Sequence, residues 1–169
     1  MERNRLLQEQ AEINPLTGLP NRQRCTQDLQ RLLHLANQYQ QCFCLGVLKI
    51  DDLQKINRNY GHQWGDKMLR RLGCLLQKEL RSEDIVSYWN GGEFVVGMYG
   101  MSRGYGVEWL AEVLEMLRLI EFEVAQETFT LLLVLVLPNI LRMEGIYKHF
   151  FKARLQQWKK QKNLVVIAF

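Results

Sequence analysis

The stretch Ser87 to Phe94, SYWNGGEF, places adjacent glycines before an acid and an aromatic, with apolar runs on both sides. Asparagine and glycine tolerate the positive φ of tight hairpin turns, so Asn90-Gly91-Gly92 predicts a strand-turn-strand with Glu93 at its tip. Such a tip either does chemistry or keeps only the shape of a turn. Further acids stand at Asp51 and Asp52, which close the apolar run CFCLGVLKI, and at Asp84 in Arg81-Ser82-Glu83-Asp84. Thiol and zinc chemistry are disfavoured, because Cys25, Cys42, Cys44 and Cys74 form no CxxC pair and no Cys/His metal spacing. Reduced, buried, apolar thiols are the expectation, with Cys42 and Cys44 on one face of a strand.

These residues are positioned by a regular alternation of elements. Met1 to Ile13 is polar and helix-prone and reads as a connector helix, with the domain proper at 14–169. NPLTGLPN is loop punctuation. Helical spacing then runs from Arg22 to about Gln40, a buried strand covers Cys42 to Ile50, and a short and a long helix follow on either side of Gly61. DIVSYW and EFVVGMY are the hairpin strands. A helix at Val107 to Ile120, strands at Phe122 to Ala125 and Thr128 to Leu137, a helix at Leu141 to Trp158 and a last strand, NLVVIAF, complete the chain. Helices interleave with strands, yet the hairpin prevents an all-parallel sheet. The expected fold is α+β, a mixed, mainly antiparallel central sheet flanked by helices.

The 169 residues fit a single domain, and 47% hydrophobic content is enough for a substantial core. The net charge of +4 gathers toward WKKQKN and reads as a solvated helix end, with no nucleic acid as partner. An RNA-binding sheet ranks last, since no aromatic pair with basic flanks marks an exposed strand. FTLLLVLVLPNI is too short to span a bilayer, and the first residues are polar and charged, unlike a signal peptide; no membrane contact and a cytoplasmic location are expected.

Three segments in order, NPLTGLPNR, KIDDLQKINRNYGHQWGD and RSEDIVSYWNGGEF, resemble the GGDEF domains of diguanylate cyclases, with Tyr60-Gly61-His62 and Gly65-Asp66 intact. ETFTLLLVLVL and HFFKAR match later family segments more loosely. The resemblance implies a nucleotidyl-cyclase-like, ferredoxin-like core. It also implies condensation of two GTP molecules into cyclic di-GMP across a dimer, with Mg²⁺ held by hard oxygen ligands.

Aligned on Ile56-Asn57 and Glu93-Phe94, however, Lys49 stands at the family's first metal-binding aspartate and Gly92 at the acidic third position of the hairpin motif. An ammonium has no lone pair for a metal, and glycine has no side-chain oxygen. Asp51 and Glu93 remain as remnant acids. The family's Phe-Lys becomes Leu53-Gln54, and its arginine before the hairpin aromatic becomes Tyr88. The expectation is loss of cyclase activity, with no catalytic residue and no metal or other cofactor; Mg²⁺ enters only if residual cyclase activity runs through Asp51 and Glu93. An ion pair of Lys49 with Asp51, Asp52 or Glu93 is the expected replacement.

Asn57 and Asp66 resemble the residues that read the guanine edge; the competing reading makes them helix caps. Arg81 and Asp84 resemble the family's Arg-x-x-Asp site for cyclic di-GMP. An arginine fork suits guanine O6 and N7, and a carboxylate suits N1–H and N2–H. The competing reading gives them surface roles only, and Arg103 is a candidate further arginine. His62 and Trp64 are expected to pack locally. The resulting expectation is a regulatory or receptor module binding cyclic di-GMP. Its alternatives are a GTP-binding or homodimerising module without turnover and a residual cyclase. Each is pictured as one part of a longer bacterial signalling protein with other domains as partners.

Overall fold

A computed structural model describes residues 12–50, 53–119, 129–137 and 166–168, without side chains at 49, at several positions of the last helix, or in the last two strands. Residues 1–11 of the connector expected at 1–13, Asp51, Asp52, the strand expected at Phe122 to Ala125 and the helix expected at Leu141 to Trp158 lie outside the described residues.

The punctuated segment folds as an Asx-type loop. Asn14 Oδ1 accepts hydrogen bonds from the backbone N–H of Leu16 and of Thr17, both at 3.0 Å. Ile13 bridges to Pro20 beneath it. Asn21 then caps α1 (Arg22–Gln38), its side chain accepting from the Arg24 N–H at 3.1 Å. The chain continues through β1 (Phe43–Ile50), α2 (Leu53–Tyr60), α3 (His62–Glu79), β2 (Ile85–Tyr88), β3 (Glu93–Tyr99), α4 (Arg103–Leu119), β4 (Phe129–Leu137) and β5 (Val166–Ala168).

The strands form one sheet in the order β2-β3-β1-β4-β5, antiparallel except for the parallel β4-β5 pair. The α+β expectation therefore holds. β1 lies centrally and is covered on both faces, which is why its sequence is continuously apolar instead of alternating with polar residues. Phe43, Leu45 and Val47 join Cys25, Leu29, Ala36, Ile85 and Val95 under α1. Cys44, Leu48 and Ile50 join Phe94, Val96 and Met98 and the inner faces of α2, α3 and α4. The two-residue period of a strand thus divides the core into two layers.

Cys42 departs from expectation. It precedes β1 and is exposed, while its carbonyl accepts from the Gly100 N–H at 2.8 Å; Cys44 alone of the pair is buried. Burial pushes the Cys44 thiol up to about 12. The described part of α4 begins at Arg103, four residues before the expected start, because the bend after β3 is short.

Candidate functional site

The hairpin tip is held by hydrogen bonds from Trp89 N–H to the Glu93 carbonyl (3.0 Å) and from Glu93 N–H to the Asn90 carbonyl (2.9 Å). Gly91 (φ +56°) and Gly92 (φ +80°) both sit in the left-handed region, as hairpin turns that match strand twist require. Gly92 is buried, and its carbonyl accepts from the Ile50 N–H at 3.1 Å. A Cβ there would meet Leu53 Cδ2 at 3.3 Å and Ile50 Cβ at 3.5 Å. The tip is therefore packed backbone, closed against the end of β1 and the start of α2.

Tyr88, 8% exposed, supports the tip from below with its ring 5.1 Å from that of Phe94. Burial raises its phenol, a hydrogen bond from the Gly92 backbone opposes the rise, and the charges of Asp66 and Glu93 add to it. Arg22 stacks its guanidinium 4.9 Å from the Trp89 ring centre. In the β1-β3 register Lys49 pairs with Glu93, so the backbone brings the two expected partners together. The Lys49 side chain is outside the described residues, as is that of Arg103.

Asn57 and Asp66 lie on the adjacent helices, and capping explains neither. Asn57 is inside α2; its backbone carbonyl, not its side chain, accepts from the Gly61 N–H at 2.9 Å. Asp66 is more than a turn inside α3, whose N-cap is Gly61 with no side-chain cap bond. Asn57 Oδ1 is buried without a hydrogen-bond partner, pressed on the backbone of α3 where Gly65 leaves room for it. His62 is exposed, whereas Trp64 packs on the core with Lys67 Nζ 4.9 Å from its ring centre.

Arg81 and Asp84 meet directly. Arg81 Nε donates to Asp84 Oδ2 (3.0 Å) and Nη2 donates to Oδ1 (2.8 Å), a fork-to-fork pair. The Arg81 backbone N–H adds a third bond to Oδ2 at 3.1 Å, and Nη2 also donates to the Tyr99 carbonyl at 2.9 Å. The Asp84 side chain is only 1% exposed and that of Arg81 45%. Asp84 thus holds the guanidinium from inside while Arg81 keeps a wet face, and hydrogen bonding to Asp84 pushes the arginine's already high pKa further up.

The order of motifs, the hairpin and the paired helices find their match in one family. The family model described as "Diguanylate cyclase, GGDEF domain" matches residues 11–131. The chain belongs to the GGDEF family. Among curated relatives, it is 38% identical over 88 residues to diguanylate cyclase DgcP of Pseudomonas aeruginosa, covering 52% of this chain and 13% of that protein. Diguanylate cyclase DgcS of Shewanella oneidensis is 36% identical over 98 residues, covering 58% and 33% respectively. The GGDEF chain thus spans a third or less of the length of both.

Among solved structures, a microbial GGDEF domain described in a novel interaction mode with cyclic di-GMP superposes with a TM-score of 0.76 at 25% identity, covering 96% of this chain and 99% of that one. The coiled coil and GGDEF domain of DgcB from Caulobacter crescentus, in complex with cyclic di-GMP, gives 0.76 at 19% identity, covering 99% and 91%. The latter likeness speaks to the GGDEF fold alone. Among the described residues no helix is long and apolar enough to cross a membrane.

Proposed function

We propose that this GGDEF domain is catalytically inactive and serves as a cytoplasmic regulatory module of a longer signalling protein, reading cyclic di-GMP through Arg81. The observation that carries the first part is Gly92. At the position where the family resemblance asks for a metal-binding carboxylate stands a buried glycine with φ +80°, packed on Leu53 and Ile50. With Lys49 at the other ligand position, these residues do not fit a pair of divalent ions. The retained hairpin serves as a packing element joining β1, α2 and β3.

The receptor part is supported by the Arg81 fork. A guanidinium fixed by a buried carboxylate and a backbone carbonyl is preorganised, and with Nε and Nη2 engaged inside, its outer Nη1–H groups, 3.6 Å from the exposed Glu83 carboxylate, are the donors offered to a guanine O6 or N7 with little loss of side-chain freedom. In this arrangement Arg81 contacts the ligand and Asp84 orients Arg81. Calorimetric titration of the 169-residue chain with cyclic di-GMP gives a saturable signal that Arg81→Ala abolishes. Absence of heat with the wild type removes the receptor reading. Formation of cyclic di-GMP from GTP with Mg²⁺ or Mn²⁺ removes the claim of inactivity.

The second reading, GTP binding without turnover, rests on Asn57 and Asp66, which stand on adjacent helices at the positions where the resemblance places the guanine-reading pair. GTP binding that persists without Mg²⁺ and is lost in Asn57→Ala supports it.

A further inference from the structure

Guanine recognition at the Arg81 turn needs an acceptor as well as a donor. The base presents acceptors at O6 and N7 but donors at N1–H and N2–H, so a site that reads it fully pairs an arginine with a carboxylate. Asp84 does not supply that carboxylate. Its side chain is only 1% exposed, and its oxygens already accept from Arg81 Nε (3.0 Å), Arg81 Nη2 (2.8 Å) and the Arg81 backbone N–H (3.1 Å).

Glu83 stands in a different relation to the same guanidinium. Its Oε1 lies 3.6 Å from Arg81 Nη1, the nitrogen that takes no part in the Asp84 fork, and its side chain is 52% exposed. Its Oε2 accepts from the Ser82 hydroxyl at 3.2 Å. The turn that carries these side chains is closed by the Asp84 N–H on the Arg81 carbonyl at 3.1 Å. A hydrogen bond from its own backbone N–H, helped by the Ser82 hydroxyl and the Arg81 charge, holds the Glu83 carboxyl below its ordinary range, so near neutral pH it is ionised and can only accept. An exposed donor and an exposed acceptor therefore stand side by side, as O6 stands beside N1–H and N2–H on the Watson–Crick edge of guanine.

We propose that Glu83 is the guanine-reading carboxylate of the Arg81 site, accepting from N1–H and N2–H of one base of cyclic di-GMP while Arg81 Nη1 donates to O6 of that base. This rests on the receptor reading above. The pairing also sets selectivity. Adenine carries an amino group where guanine has O6 and a bare N1 where guanine has N1–H. It sets donor against donor at Arg81 and acceptor against acceptor at Glu83.

The test is calorimetric titration of the 169-residue chain as wild type, Glu83→Ala and Arg81→Ala, with far-ultraviolet circular dichroism on each. The ligands are cyclic di-GMP and its inosine analogue, which lacks only the 2-amino groups. Glu83→Ala weakens cyclic di-GMP binding roughly 5- to 150-fold, the discrimination that one good bidentate contact carries. The wild type binds the inosine analogue more weakly than cyclic di-GMP, whereas Glu83→Ala binds the two alike, because the acceptor that told them apart is gone. The dichroism spectra of wild type and Glu83→Ala coincide, since the side chain is exposed. If Glu83→Ala binds cyclic di-GMP as well as the wild type or better while Arg81→Ala does not bind, the role of Glu83 falls and the receptor reading stands. If Glu83→Ala weakens both ligands by the same factor, the carboxylate does not meet the 2-amino edge and the assignment is overturned. If the wild type binds nothing, both readings fall.

Discussion

Replacing Gly92 with alanine tests whether the hairpin tip is fixed by packing. At φ +80° an L-residue bears the left-handed penalty of about 1–2 kcal/mol. The added methyl meets Leu53 Cδ2 at 3.3 Å, with Ile50 Cβ at 3.5 Å and the Ile50 carbonyl at 3.6 Å behind it. Leu53 can yield by rotation, so this contact costs about 1 kcal/mol, the low end of overpacking. The expected destabilisation is about 2–3 kcal/mol. Gly91→Ala is the internal control. Its φ of +56° lies in the left-handed well, and nothing stands within 4 Å of a Cβ there, so it bears the backbone part alone, about 1 kcal/mol. Urea unfolding of wild type and both variants, with unchanged m-values, measures the difference. If Gly92→Ala costs no more than Gly91→Ala, the tip is not packed against β1 and α2, and the argument that Gly92 closes the metal position fails. Under the same reasoning Gly92→Asp is destabilised and still forms no cyclic di-GMP from GTP.

Gly65→Ala drives a methyl into Asn57 Oδ1 and to 3.2 Å from Leu53 Cδ1, and is expected to cost about 1–3 kcal/mol; Asn57→Ala in the same chain recovers much of it, measured as a double-mutant cycle. Alkaline pH destabilises the fold through Cys44. The unfolded thiol loses its proton above the ordinary 9.0 while the folded one keeps it to about 12, so the unfolded state binds fewer protons and stability falls as pH rises between those values. The loss approaches about 1.4 kcal/mol per pH unit from this group, with buried Tyr88 adding in the same direction above its ordinary 10.0. Urea midpoints of wild type and Cys44→Ala at about pH 8 and 10 check it: the wild type should fall further than the variant.

Much of this architecture was legible in the order of residues. Periodicity located α1 to within two residues of its observed end, and EFVVGMY coincided with β3, because both segments bury a face whose spacing the sequence records. Asn90-Gly91-Gly92 foretold the turn, since few other residues accept its φ values. The cap favoured for Asp66 was misplaced: residue type alone suggests a cap, but Gly61 starts α3, which leaves Asp66 inside it. Cys42 was misjudged because alternation along a strand says nothing about where the strand begins.

The sequence by itself determined the family, the α+β alternation and the substitutions at positions 49 and 92, all properties of residue identity in register. Only the tertiary structure decided that Gly92 is closed over by Leu53 and Ile50, and that Asp84 lies buried beneath an Arg81 also anchored to the end of β3. Local pattern sets which face of an element is apolar. Which elements meet at a corner depends on strand order and helix crossing, and these bring together residues as far apart as Arg81 and Tyr99.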